Sequence, residues 1–316
     1  MKTDNLMADF CRRSIVVVLM LLVISSTSRG QQINEAMQLY FKDVRVGKYP
    51  AVPKILVISE NAKVILPALA SYLTDSLAEV RSKAYTITSL SGNSARQSHL
   101  RELAVAYLVS GTRDVDGGNA GISLDYLASF LKEDFNSTSK DSVRSLFRKK
   151  AQHFEKVIKL CGFLELVDLK EEIRPYTQAG NSQSLRWAAL VSLARMGDGA
   201  AISEVDRRAR KLPVNDDVIY SIFPDLAYTR NRQLIGYMVE ILQRDDATCM
   251  SADAERSVQI PCGYRVMEQL APVVKGYPLS LDASGDVKTN DYVAALKTVR
   301  EWFAKHQNYE IIKDKY

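Results

Sequence analysis

Three segments of this 316-residue chain align without gaps, and that internal similarity constrains the fold more than any other feature. In each segment an arginine follows an apolar or aromatic residue, and a glycine stands eleven residues beyond the arginine. Apolar residues at steps of three and four make one buried helical stripe, and glycine supplies the left-handed conformation that ends a helix. The segments are therefore predicted to be equivalent helices, which start at Val80-Arg81, Leu185-Arg186 and Tyr264-Arg265 and end at Gly92, Gly197 and Gly276.

Each predicted helix is followed by a second amphipathic stretch, beginning at Ala95, at Ala200 and, after a longer loop, at Asp291. Few runs alternate in the way that indicates β-strands, so the pattern predicts an all-α chain of helical hairpins. Further predicted helices include 123–135 and 141–161, whereas the Gly- and Asp-rich stretches 111–122 and 278–290 are predicted to be loops.

The stretch Leu185–Asp198 resembles the first helix and turn of a HEAT-like repeat, and Ala200-Ala201-Ile202 resembles the start of its partner helix. HEAT-like repeats stack into right-handed superhelices that bind partners along a groove. The resemblance implies an α-α superhelix, with residues 31–316 forming a single elongated α-solenoid domain. An alternative is two helical lobes that meet within residues 161–180.

The amino-terminal 30 residues have the pattern of a signal peptide. Arg12 and Arg13 precede a wholly apolar run, Ile15–Ile24, which is too short to span a hydrocarbon core of about 30 Å as a helix. The small residues of Ser28-Arg29-Gly30 predict cleavage after Gly30. We expect a periplasmic or secreted protein without stable membrane insertion after cleavage, and an uncleaved anchor is the alternative.

The net charge gives no indication of a nucleic-acid partner. The chain carries a formal charge of +5, of which the predicted signal peptide contributes two, because Lys2, Arg12, Arg13 and Arg29 outnumber Asp4 and Asp9. Nucleic-acid-binding proteins concentrate many more basic residues on one face.

Residue patterns typical of catalysis or of metal binding are missing from the sequence. The three histidines, His99, His153 and His306, are too far apart to form a helical zinc-binding pair, and no nucleophile elbow, phosphate loop or dinucleotide fingerprint occurs. We expect no catalytic residue, metal or cofactor. Asp114-x-Asp116 begins like a calcium loop, but Gly118 occupies a ligand position and the final Glu is absent, which favours a solvated loop.

A group of acidic residues offers one route to catalysis, since some helical toroids cleave polysaccharides with two carboxyl groups. Glu165, Asp168, Glu171 and Glu172 lie on one short stretch. The alternative function is therefore a helical-toroid envelope enzyme acting on polysaccharide, although such a cluster is more often a solvated helix face.

The leading hypothesis is a non-catalytic interaction scaffold of the cell envelope or extracellular space that binds a protein or a polymer along the groove. Trp187 is central because its helical phase turns it most of the way from the buried stripe, and Trp and Arg are enriched at binding hot spots. Packing against a neighbouring repeat is the alternative role for Trp187. Four residues of the next hairpin are expected to extend the same surface: Tyr220, Tyr228, Arg230 and Arg232.

The cysteines predict one disulfide. Cys11 leaves with the signal peptide, and Cys161 lies in an apolar stretch typical of a buried free thiol. Cys249 and Cys262 flank a polar segment that returns the chain between two hairpins, so in an oxidising compartment we expect them to be bridged. Two unrelated thiols are the alternative.

Overall fold

A computed structural model of the protein describes residues 29–251, 258–282 and 285–316, and in these residues α-helix is the main secondary structure. The regular β-structure in the same ranges is one antiparallel pair, Cys249–Met250 with Gln259–Ile260. The all-α class predicted from the sequence is confirmed. The helices pack against their neighbours, which is compatible with a helical repeat fold.

The described residues divide into two compact units, one up to Leu127 and one from Ala128 to Tyr316, called unit 1 and unit 2 below. Each unit has its own set of buried apolar side chains. The single elongated domain expected from the HEAT-like resemblance stays a prediction.

Unit 1 centres on helix α3, which packs against α2, α4 and α5. Its buried apolar side chains include Leu66, Val80 and Leu108. Short 3-10 turns at Lys54–Leu56 and Ser59–Asn61 precede α2. The helices are α1 (residues 29–45 of the described chain), α2 (Ala62–Leu69), α3 (Ala78–Ser94), α4 (Ser98–Gly111) and α5 (Gly117–Leu127).

Unit 2 centres on helix α9, which packs against α7 and α10, and on α13, which packs against α10, α12 and α14. Its α-helices are α6 (Ser137–Arg148), α7 (Phe154–Phe163), α8 (Lys170–Ile173), α9 (Gln183–Arg195), α10 (Gly199–Ala209), α11 (Asp216–Ser221), α12 (Phe223–Tyr228), α13 (Arg232–Leu242), α14 (Gly263–Leu270) and α15 (Tyr292–Lys305). Short 3-10 turns lie at Lys132–Asp134, Val167–Leu169 and Arg174–Thr177. The strands β1 (Cys249–Met250) and β2 (Gln259–Ile260) lie between α13 and α14.

The best-marked repeat, α9 with α10, begins and ends where the sequence indicates. The Ser182 hydroxyl accepts a hydrogen bond from the Leu185 amide at 3.3 Å, and the Asp198 carboxylate accepts one from the Ala201 amide at 2.9 Å. Between the two helices Gly197 has a φ of +78°, the left-handed conformation expected of a helix-ending glycine.

The aligned glycines of the other two segments do not end their helices. Helix α3 continues through a buried Gly92 to Ser94, whose hydroxyl donates to the carbonyl of Ser91 at 3.0 Å. Helix α14 ends at Leu270, before Pro272 and well before Gly276. A proline cannot donate the main-chain bond that would continue the helix.

The recurring arginine has a structural role in at least two of the segments. In α3, Arg81 Nη1 donates to the carbonyl of Ser76 at 3.1 Å, and in α9, Arg186 Nη1 donates to the carbonyl of Asn181 at 2.9 Å. Each arginine therefore ties its helix to the loop that precedes it. The repeated arginine therefore has a packing role in these two segments and is not evidence for a ligand site.

Three predicted boundaries are wrong. The helix predicted over 123–135 stops at Leu127, where α5 ends, and a 3-10 turn follows at Lys132–Asp134. Only residues 112–116 of the predicted loop 111–122 lie outside a helix, because α5 begins at Gly117, where the Asp116 carboxylate accepts a hydrogen bond from the Asn119 amide at 2.9 Å. The predicted helix 141–161 is interrupted at residues 149–153, since Lys150 and His153 adopt positive φ values of 48° and 55°. Non-glycine residues in that region of φ break a helix.

Candidate functional site

Trp187 lies on α9 and is held in place by an acidic residue of α12. Its indole Nε1 donates to Asp225 Oδ2 at 2.7 Å, and Lys159 Nζ of α7 contacts Asp225 Oδ1 at 2.5 Å. The Asp225 side chain is 14% exposed, so the indole is fixed by a largely buried carboxylate. Trp187 itself is half-buried, so that part of its ring is available at the surface.

The exposed part of Trp187 lines a mainly apolar cavity of about 650 Å³. This cavity, called the Trp187 pocket below, lies between the amino-terminal turn of α9 and the segment that follows α10. It has the size and the apolar character of sites that bind small molecules or protruding side chains. Its lining residues are Gln183, Ser184, Trp187, Arg208, Lys211, Leu212 and Ile222.

The rim of the Trp187 pocket is basic. Arg208 Nε contacts Glu204 at 2.6 Å, and hydrogen bonds from Arg207 and Arg208 lower the pKa of Glu204 to about 2. Lys211 is exposed and follows Arg208 by one helical turn. An apolar floor beside a basic rim favours a ligand that combines an apolar group with a negative charge.

Three further residues expected to bind a partner, Tyr228, Arg230 and Arg232, are brought together by the structure, but all three contact another part of the chain. That part is the extended segment after α15, residues 306–316, called the strap below. Tyr228 is 4% exposed and Arg230 is 8% exposed. The surface predicted for Tyr228 and Arg230 is thus covered, whereas Arg232 remains exposed.

The strap contacts these residues directly. Arg230 Nη2 donates to the main-chain oxygen of Tyr316 at 2.6 Å, and Arg232 Nη1 donates to that of Tyr309 at 2.7 Å. The guanidinium of Arg232 also lies over the Tyr309 ring, 4.4 Å from its centroid. The ring centroids of Tyr228 and Tyr316 are 4.9 Å apart.

Arg195, at the end of α9, belongs to the same site and was missed by the sequence analysis. It is 7% exposed, and its Nη2 donates to the main-chain oxygens of Lys313 at 3.2 Å and Lys315 at 2.6 Å. Its guanidinium lies over the rings of Phe163 and Tyr228, at 5.2 and 4.9 Å from their centroids. The sequence could have indicated that Arg195 is buried, because Arg195 follows Val191 by four residues and so shares the buried face of an apolar helix.

Tyr220 is not part of either group. It is 54% exposed on α11, and the guanidinium of Arg265 lies 5.8 Å from its ring centroid. Arg265 in turn contacts Asp216 at 3.5 Å. The five residues proposed from the sequence therefore divide among the Trp187 pocket, the strap and a separate position on α11.

The acidic cluster considered for catalysis is paired with basic residues. Hydrogen bonds from Arg144 lower the pKa of Asp168, and those from Arg174 lower the pKa of Glu171. A general acid at neutral pH needs a raised pKa, so these two groups are poorly suited to that role. The pairs are Lys132–Glu165 at 2.5 Å, Arg144–Asp168 at 2.8 Å, Arg174–Glu171 at 2.9 Å and Arg148–Glu172 at 2.9 Å.

Asp114 does not lie in a solvated loop, as the sequence suggested, but forms a buried ion pair in unit 1. Both of its oxygens accept from Arg81 at 2.7 Å, and the Tyr85 hydroxyl donates to it at 3.0 Å. Its side chain is 1% exposed. Within the described ranges no group of three or more His, Cys, Asp or Glu side chains is arranged to hold a metal ion.

The cysteines fall into a joined pair and one separate thiol. The sulfur atoms of Cys249 and Cys262 are 2.02 Å apart, which is disulfide distance, and the two residues expected from the sequence to pair are thus brought together. Cys161 on α7 is buried, and burial raises the pKa of its thiol. A buried neutral thiol is unreactive, which fits a packing role for Cys161.

Comparison with protein-family models, with curated proteins and with solved structures finds no match to this chain. In the part of the chain that the structure describes, no helix has the length and apolar character needed to cross a membrane. The predicted signal peptide lies outside the described residues, apart from Arg29 and Gly30.

Proposed function

We propose that this chain is a non-catalytic interaction scaffold of the HEAT-like kind that acts in the periplasm or outside the cell. Its partner-binding site is the Trp187 pocket, and its partner is a protein that presents an apolar side chain next to an acidic group. The observation that carries the proposal is the half-buried indole of Trp187, fixed by Asp225 at the edge of a mainly apolar cavity with a basic rim.

Pre-organisation supports the choice of Trp187. A tryptophan whose indole nitrogen is already bonded loses little conformational freedom when a partner covers its exposed face. Tryptophan is also the residue type most enriched at binding hot spots. The pair of cysteines at disulfide distance supports an oxidising compartment, where disulfides persist.

The test uses chemical cross-linking in an envelope extract to identify the partner, followed by titration of the purified partner. Trp187→Ala is expected to weaken binding at least tenfold, as truncation of a hot-spot residue does. Lys211→Glu is expected to weaken it less, because a single rim charge mainly affects the association rate. Tyr49→Ala is the matched control, since Tyr49 is an 81%-exposed aromatic of unit 1.

A second readout separates binding from folding. The chain has two tryptophans, Trp187 and Trp302, so in the Trp302→Phe variant the fluorescence reports on Trp187. A partner that covers the pocket should protect this fluorescence from quenching by acrylamide. Unchanged quenching at saturating partner, together with unchanged affinity of Trp187→Ala, would exclude the pocket as the binding site.

A further inference from the structure

The strap is held to unit 2 chiefly through its main chain. The Glu310 carbonyl accepts from the Lys275 amide at 2.9 Å, the Ile312 amide donates to the Val273 carbonyl at 2.8 Å, and the Asp314 carbonyl accepts from the Lys132 amide at 2.9 Å. Arginine side chains donate hydrogen bonds to further main-chain oxygens of the strap. These are the oxygens of Gln307, Tyr309, Lys313, Lys315 and Tyr316. Recognition through main-chain groups is the way in which proteins bind extended peptides of varied sequence.

Two tyrosines of the strap pack against aromatic rings, and the ring centroids of Tyr309 and Phe303 are 5.2 Å apart. The ring of Tyr316 lies between Phe163 and Tyr228, at centroid distances of 5.5 and 4.9 Å. In contrast, the side chains of residues 313–315 are exposed. The strap therefore has the form of a bound peptide with two aromatic contacts, of which Tyr316 is the one that lies beside the buried arginines.

The arginines beneath the strap are buried, and their hydrogen-bonding capacity is not fully used. Arg195 and Arg230 are 7% and 8% exposed, and the Nε atom of each is buried without a hydrogen-bond partner among the described residues. Burial lowers the pKa of both groups, and the proximity of Arg195 contributes to the lowering for Arg230. Two buried cations close to each other favour a ligand that brings negative charge.

Space for such a ligand exists alongside the strap. A cavity of about 1030 Å³ is lined on one side by strap residues 310–315 and on the other by Arg230, Asn231, Arg232 and Lys275. The wall opposite the strap carries three basic side chains, of which Lys275 pairs with Glu310 of the strap at 3.0 Å and would lose that partner if the strap were displaced. Charge complementarity selects an acidic ligand for it.

We propose that Arg195, Arg230 and Arg232 form a peptide-binding channel, which the strap fills as a built-in competitor. The external ligand is an extended acidic peptide of another protein, with one aromatic side chain that takes the place of Tyr316. This site shares no lining residue with the Trp187 pocket, so either proposal can fail without the other.

Competition by the strap predicts how affinity should change. A tethered segment acts at an effective concentration that can reach the millimolar range, so it masks the channel from an external peptide. Loosening the strap should therefore strengthen external binding, which is the reverse of what damage to an ordinary binding site produces.

The experiment measures fluorescence polarisation of a labelled synthetic peptide with the sequence of residues 306–316, added to the full chain. The Tyr316→Ala chain is expected to bind the peptide at least tenfold more tightly than the unsubstituted chain. A second peptide with glutamate in place of Lys313 and Lys315 is expected to bind several-fold more tightly than the first.

In the chain that carries Tyr316→Ala, adding Arg232→Ala should weaken peptide binding at least tenfold. Because Arg232 is exposed, the fold should tolerate this change. The matched control adds Arg207→Ala, an exposed arginine outside the channel, and should leave affinity unchanged. Equal binding by the unsubstituted and Tyr316→Ala chains would overturn the proposal. So would a strap that exchanges between two copies, seen as a dimer of the unsubstituted chain, or the same affinity for both peptides.

Discussion

Each unit of the molecule buries an arginine on its central helix, and the two arginines have different hydrogen-bond acceptors. In unit 1, Arg81 forms a two-bond ion pair with Asp114 at 2.7 Å. In unit 2, Arg195 donates to main-chain oxygens of Tyr228, Lys313 and Lys315. The Arg81 guanidinium thus pairs with a charged carboxylate, whereas the Arg195 guanidinium donates to neutral carbonyl groups.

The difference separates a structural site from one that an exchangeable segment completes. Asp114 lies in the turn between α4 and α5, and its neighbours Tyr85 and Asn119 also bond to it, so it cannot leave without disrupting unit 1. The strap has mostly exposed side chains and is bonded through groups that every peptide has. A buried cation is thus a better indicator of a ligand site when its partners are interchangeable.

The largest expected effect comes from breaking the ion pair of unit 1. Arg81→Met should lower the free energy of unfolding by about 3–5 kcal/mol, because it leaves the Asp114 carboxylate buried without its counter-charge. Urea denaturation measures the change. Arg144→Met is the control, since Arg144 pairs with an Asp168 that is 48% exposed, and it should cost less than about 1 kcal/mol.

The next effect should be confined to unit 2. Replacing both Cys249 and Cys262 by serine is expected to lower stability by roughly 3 kcal/mol, because the cross-link restricts the unfolded chain. Hydrogen exchange can assign the loss, which should appear in helices α13 and α14 and spare α3. If a digest made without reductant shows both thiols free, the bridge is absent and this loss should disappear.

A smaller effect is expected at the second arginine. Arg195→Met should cost only about 1–2 kcal/mol, because the hydrogen bonds to the strap are lost but the unfavourable burial of a charge is relieved as well. Urea denaturation of this variant and of Arg81→Met compares the two losses of unfolding free energy. Equal losses for the two variants would mean that the strap is as integral to unit 2 as Asp114 is to unit 1.

The sequence predicted the helices better than their connections. Local signals were sufficient where caps and apolar spacing agree, as in α9, where Ser182 and Gly197 mark the two ends. They failed at residues 111–122, where Gly111 ends α4 and serves close packing and α5 already begins at Gly117. A Cβ atom added at Gly111 would lie 2.5 Å from the Ser123 hydroxyl and 2.6 Å from the Tyr85 ring.

The candidate sites were less predictable, because they depend on contacts between distant parts of the chain. Trp187 could be selected from its helical phase, but its bond to Asp225, 38 residues away, could not be foreseen. Arg230 and Arg232 were chosen as surface residues, since nothing local indicates that a segment about 80 residues later covers Arg230 and accepts a hydrogen bond from each of them. The packing of the strap depends on tertiary contacts, which local sequence does not show.

The smallest expected effect concerns how the stability contributions of Asp114 and Arg195 depend on pH. Burial alone would raise the pKa of Asp114, but hydrogen bonds from Arg81, the Asp116 amide and Tyr85 outweigh it and lower that pKa. A carboxyl whose native pKa is depressed stabilises the fold above its unfolded pKa, about 3.9, and that stabilisation is lost as the pH falls through the native value. The stability difference between the unsubstituted chain and Asp114→Asn should therefore shrink between pH 6 and pH 3.

The same measurement on Arg195→Met should give a nearly constant difference over that range, because the main-chain oxygens bound to Arg195 do not titrate. The carboxylate with the largest influence on Arg195, that of Glu165, is 38% exposed and paired with Lys132, so its interaction with Arg195 should be worth less than about 1 kcal/mol. Urea denaturation at each pH gives both differences. A marked loss for Arg195 at pH 3 would show that a carboxylate neutralises it, and the contrast between the two buried arginines would then be one of degree.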